Sequence, residues 1–132
     1  MSKLKRDPVK YIRDKIKAQY VKDSECYICG DTENLQFHHI YSVAELYKKW
    51  KIKNKIIINT AEDIMEVRDS FLKEHYDKMV NQAFTLCTIC HNEKLHKIYG
   101  KSPSLGTAKK QSRWINIQRD KRTVNSIQNS LD

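Results

Sequence analysis

Hydrophobic positions early in the chain repeat at the interval of a helix. Val9, Ile12, Ile16 and Tyr20 share one face, while Lys10, Arg13, Lys17 and Lys22 lie largely off it. Asp7 and Pro8 mark the start: a carboxylate can cap the free amides, and proline at the first position loses no N–H the helix needs. The pattern predicts a basic amphipathic helix that packs on a core and whose outer face could also rest on a phosphate backbone. At Leu35 the period changes. Leu35–Gln36–Phe37–His38–His39–Ile40 alternates as a short strand does. Leu35, Phe37 and His39 then share one face and Gln36, His38 and Ile40 the other, so the adjacent histidines diverge. Phe84–Thr85–Leu86 is the partner strand, ending at Cys87.

Between the strands, residues 41–80 read as a helical insertion. Ala44–Trp50 makes a short helix, Lys51–Lys55 a basic loop, and Thr60 caps a second helix that runs towards Val80. Glu62 and Asp63 suit its positive end; Ile64, Val67, Phe71 and Leu72 point inward, while Glu66, Asp69, Glu74 and Asp77 keep the outer face acidic. The insertion is expected to brace the core, with a lysine clamp on a phosphate backbone (Lys48, Lys49, Lys51, Lys53, Lys55) as the functional alternative. A helix entered at Ile89 or Cys90 continues to about Tyr99 and stops at Gly100. After a loop at Ser102–Gly106, Thr107 caps a last helix through Ala108, Trp114, Ile115, Gln118 and Arg122, and residues 123–132 are polar enough to fray. The sum is one α+β domain: a basic N-terminal helix (1–24), a core (25–100) and a basic C-terminal helix and tail (101–132).

Charge and cysteine usage then narrow the chemistry. The 132 residues carry 25 basic and 16 acidic side chains, a net charge of +9, which favours a polyanionic partner. No apolar run approaches the roughly 18 residues of a membrane span, and the charged start Met1–Arg6 lacks the apolar stretch of a secretory signal. Cytoplasm is the expected setting, where thiols stay reduced and paired cysteines read as metal ligands. Cys26–Tyr27–Ile28–Cys29 and Cys87–Thr88–Ile89–Cys90 each have the spacing that lets two thiolates grip one ion. Together Cys26, Cys29, Cys87 and Cys90 supply a closed tetrahedral Zn2+ site. A chain this small gains from such a staple.

With His38–His39 just after the first cysteine pair and His91 directly after the last thiolate, residues from Cys26 to about Tyr99 resemble the HNH endonucleases, the zinc-stapled branch of the ββα-metal nucleases. The resemblance implies a zinc-stapled ββα-metal core with a helical insertion and flanking basic helices. It implies metal-dependent DNA cleavage leaving 5′-phosphate and 3′-hydroxyl ends, in the host cytoplasm for a phage or homing-type member. Carried over by position, His38 and His91 would hold a catalytic divalent ion (Mg2+, Mn2+ or another divalent transition metal), and His39 would deprotonate the attacking water. His38 stands where the family often has an aspartate. The central asparagine normally lies five residues before the third zinc cysteine; that position is Gln82, with Asn81 one residue back, so a bulge or a longer amide is required. His96 is five residues after His91, about 140° away on an ideal helix. That angle favours a DNA or structural contact over a ligand, while its residue type keeps it in the candidate ion set. Lys94, Lys97, Lys109, Lys110 and Arg113 are the expected DNA contacts. A monomer would nick and a dimer could cut both strands; the residues choose neither. The alternative function is a non-enzymatic zinc module that binds nucleic acid through the same basic helices.

Overall fold

The computed structural model describes the backbone of residues 6–131 and the side chains of residues 6–122; the start of the N-terminal segment and Asp132 lie outside it. Helix α1 (Pro8–Gln19) begins as its sequence predicts, with Pro8 in the first turn and the Asp7 carboxylate accepting from Val9 N. Val9, Ile12 and Ile16 are buried. Helix α2 (Val43–Lys53) is capped by Ser42, whose hydroxyl accepts from Glu45 N. It runs through Lys51–Lys53, expected to be loop, and ends only at Asn54 and the positive φ of Lys55. Tertiary anchors account for the extension. Trp50 is buried and donates to Glu74 of the next helix at 2.8 Å, and Lys51 lies over the Tyr47 ring one turn back.

Helix α3 (Ala61–Tyr76) opens with a capping box: Thr60 accepts from Asp63 N, and the Asp63 carboxylate accepts from Thr60 N. Ile64, Phe71 and Leu72 join α1 and α2 in the first of two cores, with Trp50 packed edge-on to Phe71. Fully burying side chains of this kind contributes roughly 1.5–3 kcal/mol each. The insertion thus packs its apolar side chains with those of α1. Past a kink at His75, the segment Asp77–Asn81 is a π-helix rather than a continuation of the α-helix.

Strands β1 (Leu35–His38) and β2 (Phe84–Cys87) pair antiparallel, with Leu35 opposite Cys87 and His38 opposite Phe84. Thr85 is fully buried, and its hydroxyl meets Tyr20 Oη and Asp23 N, which ties the end of α1 to β2. Beyond Cys87 the chain enters a π-helix, Ile89–Leu95, and then the short helix α4 (His96–Tyr99), which stops at Gly100 with φ +85°. Helix α5 (Ala108–Leu131) lays Ala108 and Ile115 onto the second core, built from the cysteines, Ile28, Ile40, Leu86 and Leu95. It continues through residues 123–131, which composition marked as fraying; their side chains lie outside the description. The architecture is thus a small two-stranded antiparallel sheet among helices, in the α+β class. No helix among the described residues is long and apolar enough to cross a membrane.

Candidate functional site

The four cysteines converge. Their sulfur atoms all lie within 4.8 Å of one another, and Cys29 Sγ is 3.6 Å from Cys87 Sγ. A disulfide would hold sulfurs at about 2.0 Å. Four thiolates on a tetrahedral ion with bonds of about 2.3 Å sit about 3.8 Å apart, which the observed spacing approaches. The first pair sits on a tight turn in which Gly30 N donates to Cys26 O and Gly30 takes φ +81°, a conformation that favours glycine. Burial opposes ionisation of Cys26, but the backbone N–H groups of Cys29, Cys87 and Ile28 outweigh it and bring the thiol down to about 7. Burial and the neighbouring cysteines raise Cys29 and Cys90 instead, so it is the convergence of four sulfurs that suits a structural zinc ion.

A second cluster forms beside it. His38, at the end of β1, places Nδ1 3.0 Å from Nε2 of His91. The His91 and His96 ring centroids are 4.4 Å apart, and one ring nitrogen from each of His38, His91 and His96 lies within 4.8 Å of the others. An α-helix would turn His96 about 140° away from His91. The segment is instead a π-helix in which His96 N donates to His91 O, an i→i+5 bond that stacks residues five apart on one face. Both rings therefore reach the same point.

Burial favours the neutral form of every ring in the cluster. Desolvation brings His38 down to about 4 and His91 to about 3, with neighbouring histidines adding to the effect on both, and desolvation also lowers His96. Neutral imidazoles are the form that binds metal. Two nitrogens bound at right angles about 2.1 Å from one ion would be about 3.0 Å apart, so the His38–His91 pair fits a shared divalent ion. Each of these two rings has an outer amide partner: His38 Nε2 meets Gln111 Oε1 at 2.9 Å, and His91 Nδ1 meets Gln36 Oε1 at 2.8 Å.

His39 points to the other face of β1, against Phe37 at 5.2 Å. It lines an open cavity of about 260 Å³ together with His38, His91, His96, Arg13, Ser42 and Lys101. Desolvation lowers His39 to about 4, helped by His38 and by the positive charges of Arg13 and Lys17. Its Nδ1 is buried with no hydrogen-bond partner among the described residues. The cavity thus combines an unprotonated imidazole, a potential ion site and cationic side chains.

Neither amide expected at the motif's centre lines this cavity. Asn81 Nδ2 and Gln82 Nε2 both donate to the Asp77 carboxylate, at 3.3 and 2.6 Å, because the π-helix turns Asp77 towards residues four and five further on. Lys94, Lys97, Lys109, Lys110 and Arg113 are exposed. Arg119 is tied to the first cysteine turn instead, stacked over Tyr27 and donating to its carbonyl.

Sequence reasoning passed over Gln36, Gln111 and Lys101, and gave Arg13 only a general basic face. Gln36 had a signal, since it precedes His38 by two and so shares its face. Gln111 had one too: it is a polar residue at a core position, three after Ala108 and four before Ile115.

The family model described as the Nicking endonuclease family, a phage T5 nicking endonuclease group, matches residues 1–131. No solved structure matches the chain. The chain therefore belongs to this phage family of nicking endonucleases, enzymes that cleave DNA.

Proposed function

We propose that this member of the Nicking endonuclease family hydrolyses one DNA strand at the cavity between α1 and the histidine cluster, by HNH-type chemistry. His39 accepts a proton from water held in the cavity. The water oxygen forms a bond to phosphorus, the bond from phosphorus to the 3′-oxygen breaks, and that oxygen takes a proton from solvent, leaving 5′-phosphate and 3′-hydroxyl ends. Arg13 and Lys17 of α1, with Lys101 opposite, seat the strand by contacts to phosphate oxygens. His38, His91 and His96 would hold a divalent ion, which supplies positive charge against the phosphate and the departing oxygen.

The observation that carries this reading is the convergence of three neutral imidazoles beside a cavity that His39 and Arg13 also line. The donor set also bears on the ion. Imidazole nitrogens suit transition ions, whereas Mg2+ is held mainly by oxygen ligands. Mn2+, Ni2+ or Zn2+ is therefore preferred over Mg2+ at this position. The resemblance has two departures, the histidine in the place of the usual aspartate and the central amides engaged with Asp77. Ion binding through a third imidazole makes up for the first.

Conversion of supercoiled plasmid to open circles tests the proposal. The parent should nick with transition ions and not after chelation, and His38→Ala should need far more ion for the same rate. Nicking that is unchanged in excess chelator would overturn it.

A further inference from the structure

We propose that Gln111, on the C-terminal helix, is a positioning residue that fixes which nitrogen of His38 is free to bind the catalytic ion. The proposal rests on the reading of His38, His91 and His96 as ion ligands. Gln111 is a fully buried polar residue on a helix outside the hairpin. Its Nε2 donates to Ile40 O at 3.2 Å and to Thr107 Oγ1 at 2.9 Å. The Thr107 hydroxyl hydrogen is already committed to Ser104 O at 2.7 Å, so its oxygen can only accept from Gln111.

Both neighbours of Nε2 are therefore acceptors, and the amide cannot turn over without setting its carbonyl against theirs. The carbonyl Oε1 is left facing His38 Nε2 at 2.9 Å, where it must receive a proton. The neutral His38 ring then carries N–H at Nε2 and a lone pair at Nδ1, the nitrogen aimed at the cluster. On the other side, Gln36 Oε1 lies 2.8 Å from Nδ1 of His91 and can accept its N–H there, the tautomer that turns the Nε2 lone pair inward. With both rings in these tautomers, two lone pairs face each other across 3.0 Å, an arrangement that a positive charge between them stabilises. Outer hydrogen bonds of this kind commonly set the tautomer and orientation of metal-binding histidines. The same Gln111 amide also holds Ile40 O, one residue beyond His39, so α5 fixes the end of β1 and the ligand together.

Two measurements test this. The first uses the parent protein with zinc on its cysteines and no ion on its histidines. Nitrogen-15 NMR of the imidazoles should show His38 protonated at Nε2; protonation at Nδ1 overturns the proposal whatever the variants do. The second is calorimetric titration with Co2+, zinc being retained on the cysteines. The parent should bind one Co2+, His38→Ala should weaken that binding more than any other variant, and Gln111→Leu should weaken it by about 10–100-fold with the melting transition retained. Gln111→Glu, which keeps an acceptor, should recover most of the loss. A parent that binds no Co2+ removes the ion reading, and this proposal with it. A parent that binds Co2+ while Gln111→Leu matches it overturns the role of Gln111 and leaves the ion site standing. If Gln111→Leu fails to fold, the tautomer measurement decides.

Discussion

Replacing Cys29 with serine isolates the zinc ion from everything else that a buried cysteine does. Cys29 is the one exposed member of the four, so its side chain adds little packing of its own. An exposed substitution away from special features normally changes stability by no more than about 0.5 kcal/mol. Its sulfur, however, lies 3.6 Å from Cys87 Sγ in a cluster whose spacing fits tetrahedral zinc. Structural zinc in small sites contributes an apparent 10–16 kcal/mol or so, and even division among four thiolates assigns roughly 2.5–4 kcal/mol to each. Against a total stability of about 5–15 kcal/mol for a domain, that is a large share. At roughly 3–5 °C per kcal/mol for a chain of this length, Cys29→Ser should melt about 10–20 °C below the parent. Thermal denaturation followed by circular dichroism, with zinc per chain measured on the same sample, reads both quantities. A chelator should lower the parent's transition and a reductant alone should not, because no disulfide is present. The buried Cys87, which also ends β2, should fail more severely as Cys87→Ser. A Cys29→Ser protein that melts within a degree or two of the parent would refute the reasoning, since nothing but the ion makes that exposed sulfur matter.

Removing Lys109, Lys110 and Arg113 together should weaken DNA binding equally at all sequences and flatten its salt dependence, as titrations at several ionic strengths would show; a loss confined to particular sequences would mean that α5 reads bases. Asn81→Ala and Gln82→Ala should each keep zinc and nick plasmid within about tenfold of the parent, because both amides are engaged with Asp77 and neither lines the cavity; a collapse of activity in just one would return that residue to the motif's central role. Acid should destabilise the protein without an ion on its histidines. His38 and His39 are lowered to about 4, so the unfolded chain takes up protons first, and stability present above about pH 6.5 is lost as pH falls towards 4. Urea titrations at pH 7.5 and 5 should show that loss, and His39→Gln should show less of it.

Features set by residues close together in sequence were legible before the structure. The cap of α1 needs only Asp7 and Pro8, the capping box of α3 only Thr60 and Asp63, and the zinc cluster two pairs at fixed spacing. The diverging faces of His38 and His39 follow from strand period alone. What escaped depended on backbone geometry or distant contacts. An α-helical wheel cannot register the π-helix that brings His96 to His91, and the same geometry commits Asn81 and Gln82 to Asp77. Lys51–Lys53 extend a helix that Trp50 anchors to Glu74 across the fold, a contact no local pattern shows. Gln111 touches His38 across 73 positions of sequence, so its role could be suspected only from a polar residue standing in an apolar stripe.

The central claim is that His39 removes the proton from the attacking water, and one substitution addresses it. His39→Ala should keep its zinc, its melting transition, its Co2+ affinity and its affinity for DNA, while plasmid nicking falls by roughly 10²–10⁴-fold, the contribution of a positioned general base. With His39 lowered to about 4, the parent's activity should also persist below pH 6, where an ordinary imidazole would already be protonated. If His39→Ala converts supercoiled plasmid to open circles at the parental rate, the catalytic assignment is contradicted.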